Sequence, residues 1–150
     1  MEIDALLVYY HIMSISEFDI INRFFRDNSI NRTDTLLAIG DDAALIQIDS
    51  NHSGLATVMQ WVAGHDYPID EAADSLAEKI MSQIIEHAAE RSISPKWMTL
   101  SLTLEKPDIK RIELFSHALL AYATQANIQL IGGDTSHGPE TIRIHLLGTH

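Results

Sequence analysis

The chain has 150 residues, no cysteine, and 21 acidic against 10 basic side chains, for a formal net charge of −11. With 46% hydrophobic residues, this length suits one globular domain with its own core, and the missing thiols exclude a disulfide scaffold or a thiolate metal site. The acidic balance argues against a nucleic-acid or anionic-membrane binder, because contact with phosphate relies on clustered Lys and Arg; phosphate held through metal ions stays compatible with it.

The N-terminal MEIDALLVYYHIM lacks the basic start of a signal peptide, and no apolar run approaches the roughly 18 residues of a membrane span. A cytoplasmic protein is expected. Residues 1–13 read as a lead-in to a domain spanning 14–150. Ser16 to Phe25 opens with a Ser-x-x-Asp capping signal, followed by Ile20, Ile21, Phe24 and Phe25 at helical spacing. Thr35 to Ile39 and Ala43 to Ile48 are short β-prone runs around Gly40-Asp41-Asp42, and Leu55 to Val62 is a further strand. The stretch from Glu71 to Arg91 carries an apolar stripe through Leu76, Ile80, Ile84 and Ala88, the pattern of an amphipathic helix. Trp97 to Leu104 alternates as a strand buried on one face. Pro107 to Ala126 is a second helix, Ile128 to Ile131 a short apolar strand, and Thr141 to Leu147 alternates again. Helices alternating with strands in the second half imply an α/β or α+β fold, a mixed sheet with helices packed on one face.

Two acidic turns carry the candidate chemistry. Gly40-Asp41-Asp42 combines a permissive backbone with paired carboxylates suited to a hard cation. Gly132-Gly133-Asp134-Thr135-Ser136 lets a ligand approach the main chain beside a carboxylate and two hydroxyls. Each turn alone reads more readily as an ordinary solvated turn; together on one small sheet they suggest a metal–phosphate site as readily as two ordinary turns. The eight histidines show no zinc spacing on a helix. His11, His52 and His150 read as surface residues and His145 as structural, whereas His65 and His137 are better placed for ligands. Trp61 and Trp97 read as core or interface anchors.

Five blocks, SEFDIINRFF (16–25), IGDDAAL (39–45), WVAG (61–64), SPKWMTLSLTL (94–104) and LIGGDTSHGP (130–139), stand in a characteristic order and spacing. In them the chain resembles the N-terminal domain of bacterial thiamine-monophosphate kinase, over residues 14 to about 148. That enzyme belongs with aminoimidazole ribonucleotide synthase, selenophosphate synthetase and the hydrogenase-maturation dehydratase. The resemblance implies a mixed sheet with helices on one side, and a homodimer in which two such sheets pair into a barrel. It also implies a cleft for ATP and Mg2+ lined by the acidic turns, where the terminal phosphoryl group passes to thiamine monophosphate. Carried over by position, Asp42 corresponds to a magnesium ligand and Thr57 to a hydroxyl near the metals. Gly133 and Asp134 correspond to nucleotide contacts, Asp134 also to a metal ligand. No catalytic residue follows.

Several positions depart from the family pattern. Val58-Met59 stands where the family has Thr-Asp, and a thioether is a poor ligand for magnesium. Ile84, Glu86 and His87 replace the Asn, Ser and Asp of an Asn-x-Ser-Asp helix pattern. Asp66 replaces a substrate-facing histidine, and His137 a basic residue. The resemblance, so altered, implies a kinase-like protein that is weakly active or inactive. The alternative is a non-enzymatic dimeric binding or interaction module built on the same fold.

Overall fold

In a computed structural model, which describes residues 20–26, 28–40 and 43–150, both expected long helices form. Helix α1, Ala73–Glu90, buries Leu76, Ala77, Ile80, Met81, Ile84 and Ala88 along the stripe that its sequence displays. Helix α2, Ile109–Gln125, starts two residues later than Pro107. Asp108 takes the N-cap, and its carboxylate accepts a hydrogen bond from Arg111 N at 3.2 Å. The lead-in 1–13, the capping signal at Ser16 and both acids Asp41 and Asp42 lie outside the described residues. Of the first expected helix, the segment Ile21–Arg26 is described, and it is a π-helical turn rather than an α-helix.

A small ribbon precedes the main sheet. Strand β1, Thr35–Leu37, pairs antiparallel with β2, Leu45–Ile46, both shorter than the runs that suggested them. The main sheet contains β3, Gly54–Val62, β4, Ser94–Leu104, β5, Gln129–His137, and β6, Thr141–Thr149. Its order is β3-β6-β4-β5; β4 and β5 run parallel, and β6 is antiparallel to both of its neighbours. The expected mixed sheet is therefore present.

Two strand boundaries differ from the sequence reading for physical reasons. β4 extends back through Pro95, which donates no N–H. There it faces β6 alone, since β5 pairing begins at Trp97, and the register shifts between Pro95 and Trp97. β5 does not stop at Ile131 but runs through the expected Gly132-Gly133 turn to His137. Glycine permits this: a Cβ on Gly133, whose φ is +148°, would stand 1.8 Å from Leu100 O of β4.

Alternation sorts the sheet into two faces. Met98, Leu100, Leu102, Ile142, Ile144, Leu146 and Trp61 point to the helices and share one buried cluster with Ile80, Ile84 and Leu119. Burying each large aliphatic side chain contributes about 1.5–3 kcal/mol, so both helices stay on this side. The other face carries Val58, Gln60, Arg143, Asp134 and Ser136, all exposed. Trp97 also belongs to that face, yet it is 0% exposed because residues 32–35 cover it. Its indole Nε1 donates to Thr35 Oγ1 at 2.9 Å, and the Arg32 and Lys96 cations each lie 5.7 Å from its ring centre.

Arg32 also grips Asp34 through two hydrogen bonds, Nε to Oδ1 at 2.8 Å and Nη2 to Oδ2 at 2.9 Å. The Arg32 guanidinium holds the Asp34 carboxyl below its ordinary range. A carboxyl with a folded pKa under its unfolded value of about 3.9 adds stability above that value and surrenders it as pH falls. The expected outcome for Asp34→Asn is lower stability at neutral pH and a flatter stability profile between about pH 5 and pH 2, measured by denaturant unfolding at each pH.

Candidate functional site

The open face of the sheet presents Asp134. Register places Gln60, Arg143, Ser101 and Asp134 in one row across β3, β6, β4 and β5. Arg143 Nε donates to Gln60 Oε1 at 3.0 Å, and Thr103 and Ser136 share a hydrogen bond of 3.0 Å one step along the strands. Asp134 is exposed, and Gly133 beside it brings the main chain of β5 close against β4. His145 shares this face, opposite Thr99 and Val58 in register, and is half-buried.

Thr57 lies elsewhere. It points to the helix side of β3, where its Oγ1 is 2.9 Å from His87 Nε2 on α1. On the same side Trp61 Nε1 donates to Gln83 Oε1 at 2.7 Å, Met59 packs against the core, and Ile84 is 0% exposed. Thr57, Met59, Ile84 and His87, scattered in sequence, thus gather between β3 and α1. Thr57 and Asp134 are not brought together: they occupy opposite edge strands and opposite faces of the sheet. The position of Asp42 lies outside the described residues. Nearby, Gly40 has φ +115° and sits against the Arg26 guanidinium, which a Cβ would approach to 3.2 Å.

The loop after β3 is organised by Asp66. Its Oδ2 accepts from Val62 N at 2.7 Å, and its Oδ1 lies 3.1 Å from His65 Nδ1. The Val62 amide, then His65, holds this carboxyl below its usual range. His137 is exposed at the end of β5.

One cluster gave no signal in sequence because its members are far apart in the chain. Tyr67 OH donates to Glu140 Oε2 at 2.7 Å, while Arg111 Nε reaches Glu140 Oε1 at 3.4 Å and Arg111 Nη1 donates to Glu71 O at 2.6 Å. Burial and then the Glu140 carboxylate push the Tyr67 hydroxyl well above its ordinary pKa. Arg111 Nη2 is buried without a partner among the described residues. Beside it lies a cavity of about 40 Å³ lined by Leu76, Leu102, Ile112 and Phe115, room for about one water.

Residues 40–149 match the family AIR synthase related protein, N-terminal domain. The chain belongs to that family. Within the family its likeness is to the N-terminal part of thiamine-monophosphate kinases. It is 34% identical over 136 residues to thiamine-monophosphate kinase of Haemophilus influenzae (strain ATCC 51907 / DSM 11121 / KW20 / Rd), covering 91% of this chain and 42% of that protein. The crystal structure of thiamine-monophosphate kinase from Stenotrophomonas maltophilia K279a superposes with a TM-score of 0.78 at 34% identity, covering 91% of this chain and 43% of that one. AaThiL complexed with AMPPCP and TMP superposes with a TM-score of 0.54 at 21% identity, covering 75% of this chain and 37% of that one, a likeness of fold alone. The chain therefore spans well under half the length of the relatives it matches.

The resemblance to this family implies magnesium, and the described donor set does not fit it. No three His, Cys, Asp or Glu side chains gather where a metal ion could sit among the described residues. β3 and α1 offer a thioether at Met59, a fully buried aliphatic chain at Ile84 and, at His87, an imidazole already engaged by Thr57, none of them a ligand suited to magnesium.

The glycine strand gives a direct test. Gly133→Ala forces β4 and β5 apart and is expected to cost about 2–3 kcal/mol. Gly132→Ala meets nothing within 4 Å and is expected to stay within about 0.5 kcal/mol of the parent, both read from urea unfolding midpoints.

Proposed function

We propose that this chain is a thiamine-monophosphate kinase-like domain with little or no kinase activity of its own. One observation carries the reading, the Thr57–His87 hydrogen bond in the β3–α1 seam, flanked by Met59 and Ile84. Phosphoryl transfer is chiefly positioning and charge neutralisation, and metal ions normally supply the neutralising charge. A polyphosphate brought near a chain of net charge −11 is repelled unless cations intervene. A neutral imidazole and a thioether in place of carboxylates remove the means of holding those cations. Asp134, with Gly133 beside it, remains as a nucleotide and metal contact on the open face, and Asp42 in the first acidic turn as a second carboxylate. The 34% identity to thiamine-monophosphate kinase of Haemophilus influenzae supports thiamine monophosphate and a phosphoryl donor such as ATP as the ligand classes from which this domain derives. Residues 14–150 act as the domain, in the cytoplasm.

The sheet face that the described residues leave uncovered favours a second reading, a dimeric binding or interaction module. Val58 is 53% exposed on that face, and Leu36, Leu37 and Leu45 of the ribbon are 56%, 46% and 50% exposed. A second copy of the chain, paired through the sheets, covers such surface.

The purified chain, supplied with ATP, Mg2+ and thiamine monophosphate, is expected to form no thiamine diphosphate above background by chromatography. The double variant Met59→Asp/His87→Asp is expected to gain an Mg2+-dependent rise in Tm with ATP that the parent lacks, by ligand linkage. Robust turnover by the parent overturns the reading of lost activity. For the dimer, sedimentation equilibrium is expected to give twice the chain mass, reduced to the monomer by Val58→Asp.

A further inference from the structure

The sheet face away from the helices carries two charges that meet no opposite charge among the described residues. Asp134 is exposed, with no hydrogen-bond or ion-pair partner there. Arg143 is exposed too, and its guanidinium turns to the neutral Gln60 on β3, Nε to Oε1 at 3.0 Å. Register sets both charges in one row, on either side of Ser101 of β4. Strands lie about 4.8 Å apart, so the two positions stand about 10 Å apart across β4, with Arg143 aimed the opposite way. The neighbouring rows have the same two flanks. One holds His145 of β6, Thr99 of β4 and Gly132 of β5; the other holds Thr141, Thr103 and Ser136. His145 is half-buried, whereas a Cβ on Gly132 would meet nothing within 4 Å.

These flanks are self-complementary under one symmetry operation. A second copy laid face to face, about a two-fold axis running along β4, exchanges the flanks: its β5 lies over β6, and its β6 over β5. Each Arg143 then faces the partner's Asp134. The ring of His145 meets the open space over the partner's Gly132, and Thr141 meets the hydroxyl of the partner's Ser136. An axis running across the strands instead sets Arg143 against the partner's Arg143 and Asp134 against the partner's Asp134, which repel. Packed sheets stand about 10 Å apart, within the combined reach of an arginine and an aspartate. Aligned sheets cross at about 30°, so the match belongs to these central rows. We propose that the open face binds a second copy of this chain, in the register that sets Arg143 opposite the partner's Asp134 on both sides of the axis. The inference rests on the dimer reading given above, and it gives Asp134 a protein partner in place of a nucleotide. Charges so placed select this register against the others more than they add affinity.

A charge swap followed by sedimentation equilibrium tests the pairing without any ligand. Arg143→Asp and Asp134→Arg each set like charges opposite one another twice per dimer, and each is expected to weaken the dimer about a hundredfold. Asp134→Arg makes the acidic chain less acidic, so general repulsion does not account for its effect. The double variant Arg143→Asp/Asp134→Arg restores opposite charges across the axis. So does an equimolar mixture of the two single variants, in which one chain carries only acids at these positions and the other only arginines. Both are expected to dimerise within about threefold of the parent. A misfolded variant is not rescued by mixing. Single variants that dimerise like the parent, or weakened ones that stay weak when mixed or when combined, overturn the pairing and leave the dimer reading standing. A monomeric parent overturns both.

Discussion

Side chains alternate across a strand, and among the described residues only one face of this four-stranded sheet is roofed by helices. That constraint sorts every residue of interest. A residue of β3 or β6 whose side chain points to the helices must be apolar, or must find a hydrogen-bond partner there. Thr57 meets the second condition through His87 and Trp61 through Gln83, while Asp134 escapes both by standing on the open face. The same alternation places Arg143, Ser101 and Asp134 in one row on the open face.

The seam between β3 and α1 is a packed site rather than a charged one. A cluster of carboxylates around cations needs solvent or metal to offset its own repulsion. Met59, Ile84 and a Thr–His pair need neither. Ile84 gains full burial, and the hydroxyl of Thr57 and the ring of His87 satisfy each other. The result is a helix held to an edge strand by contacts that serve the fold, in a chain whose acidic surplus makes unscreened phosphate unwelcome.

Polar networks hold the two ends of the molecule. At one end Arg32, Asp34, Thr35, Trp97 and Gln129 fasten the ribbon to the sheet; at the other Tyr67, Glu140 and Arg111 fasten the loop before α1 to α2 and β6. Both are assembled from residues distant in sequence, and in both a buried or half-buried acceptor takes more than one donor. Such networks fix geometry more than they add net stability, because each bond replaces one to water.

Local sequence determined α1, α2 and the alternating strands, because hydrophobic period and capping act within a few residues. The five motif blocks likewise marked the family, and the replacements at Met59, Ile84 and His87 were legible as single letters. The strand through Gly132-Gly133 was not legible, since only the approach of Leu100 O shows why glycine stands there. The opposite faces of Thr57 and Asp134 depend on strand order and register, which pair residues tens of positions apart. Gln129 reads in sequence as one polar residue before an apolar strand. Its role emerges only when long-range packing brings Arg32, Thr35 and Trp97 around its oxygen, a contact no local period encodes.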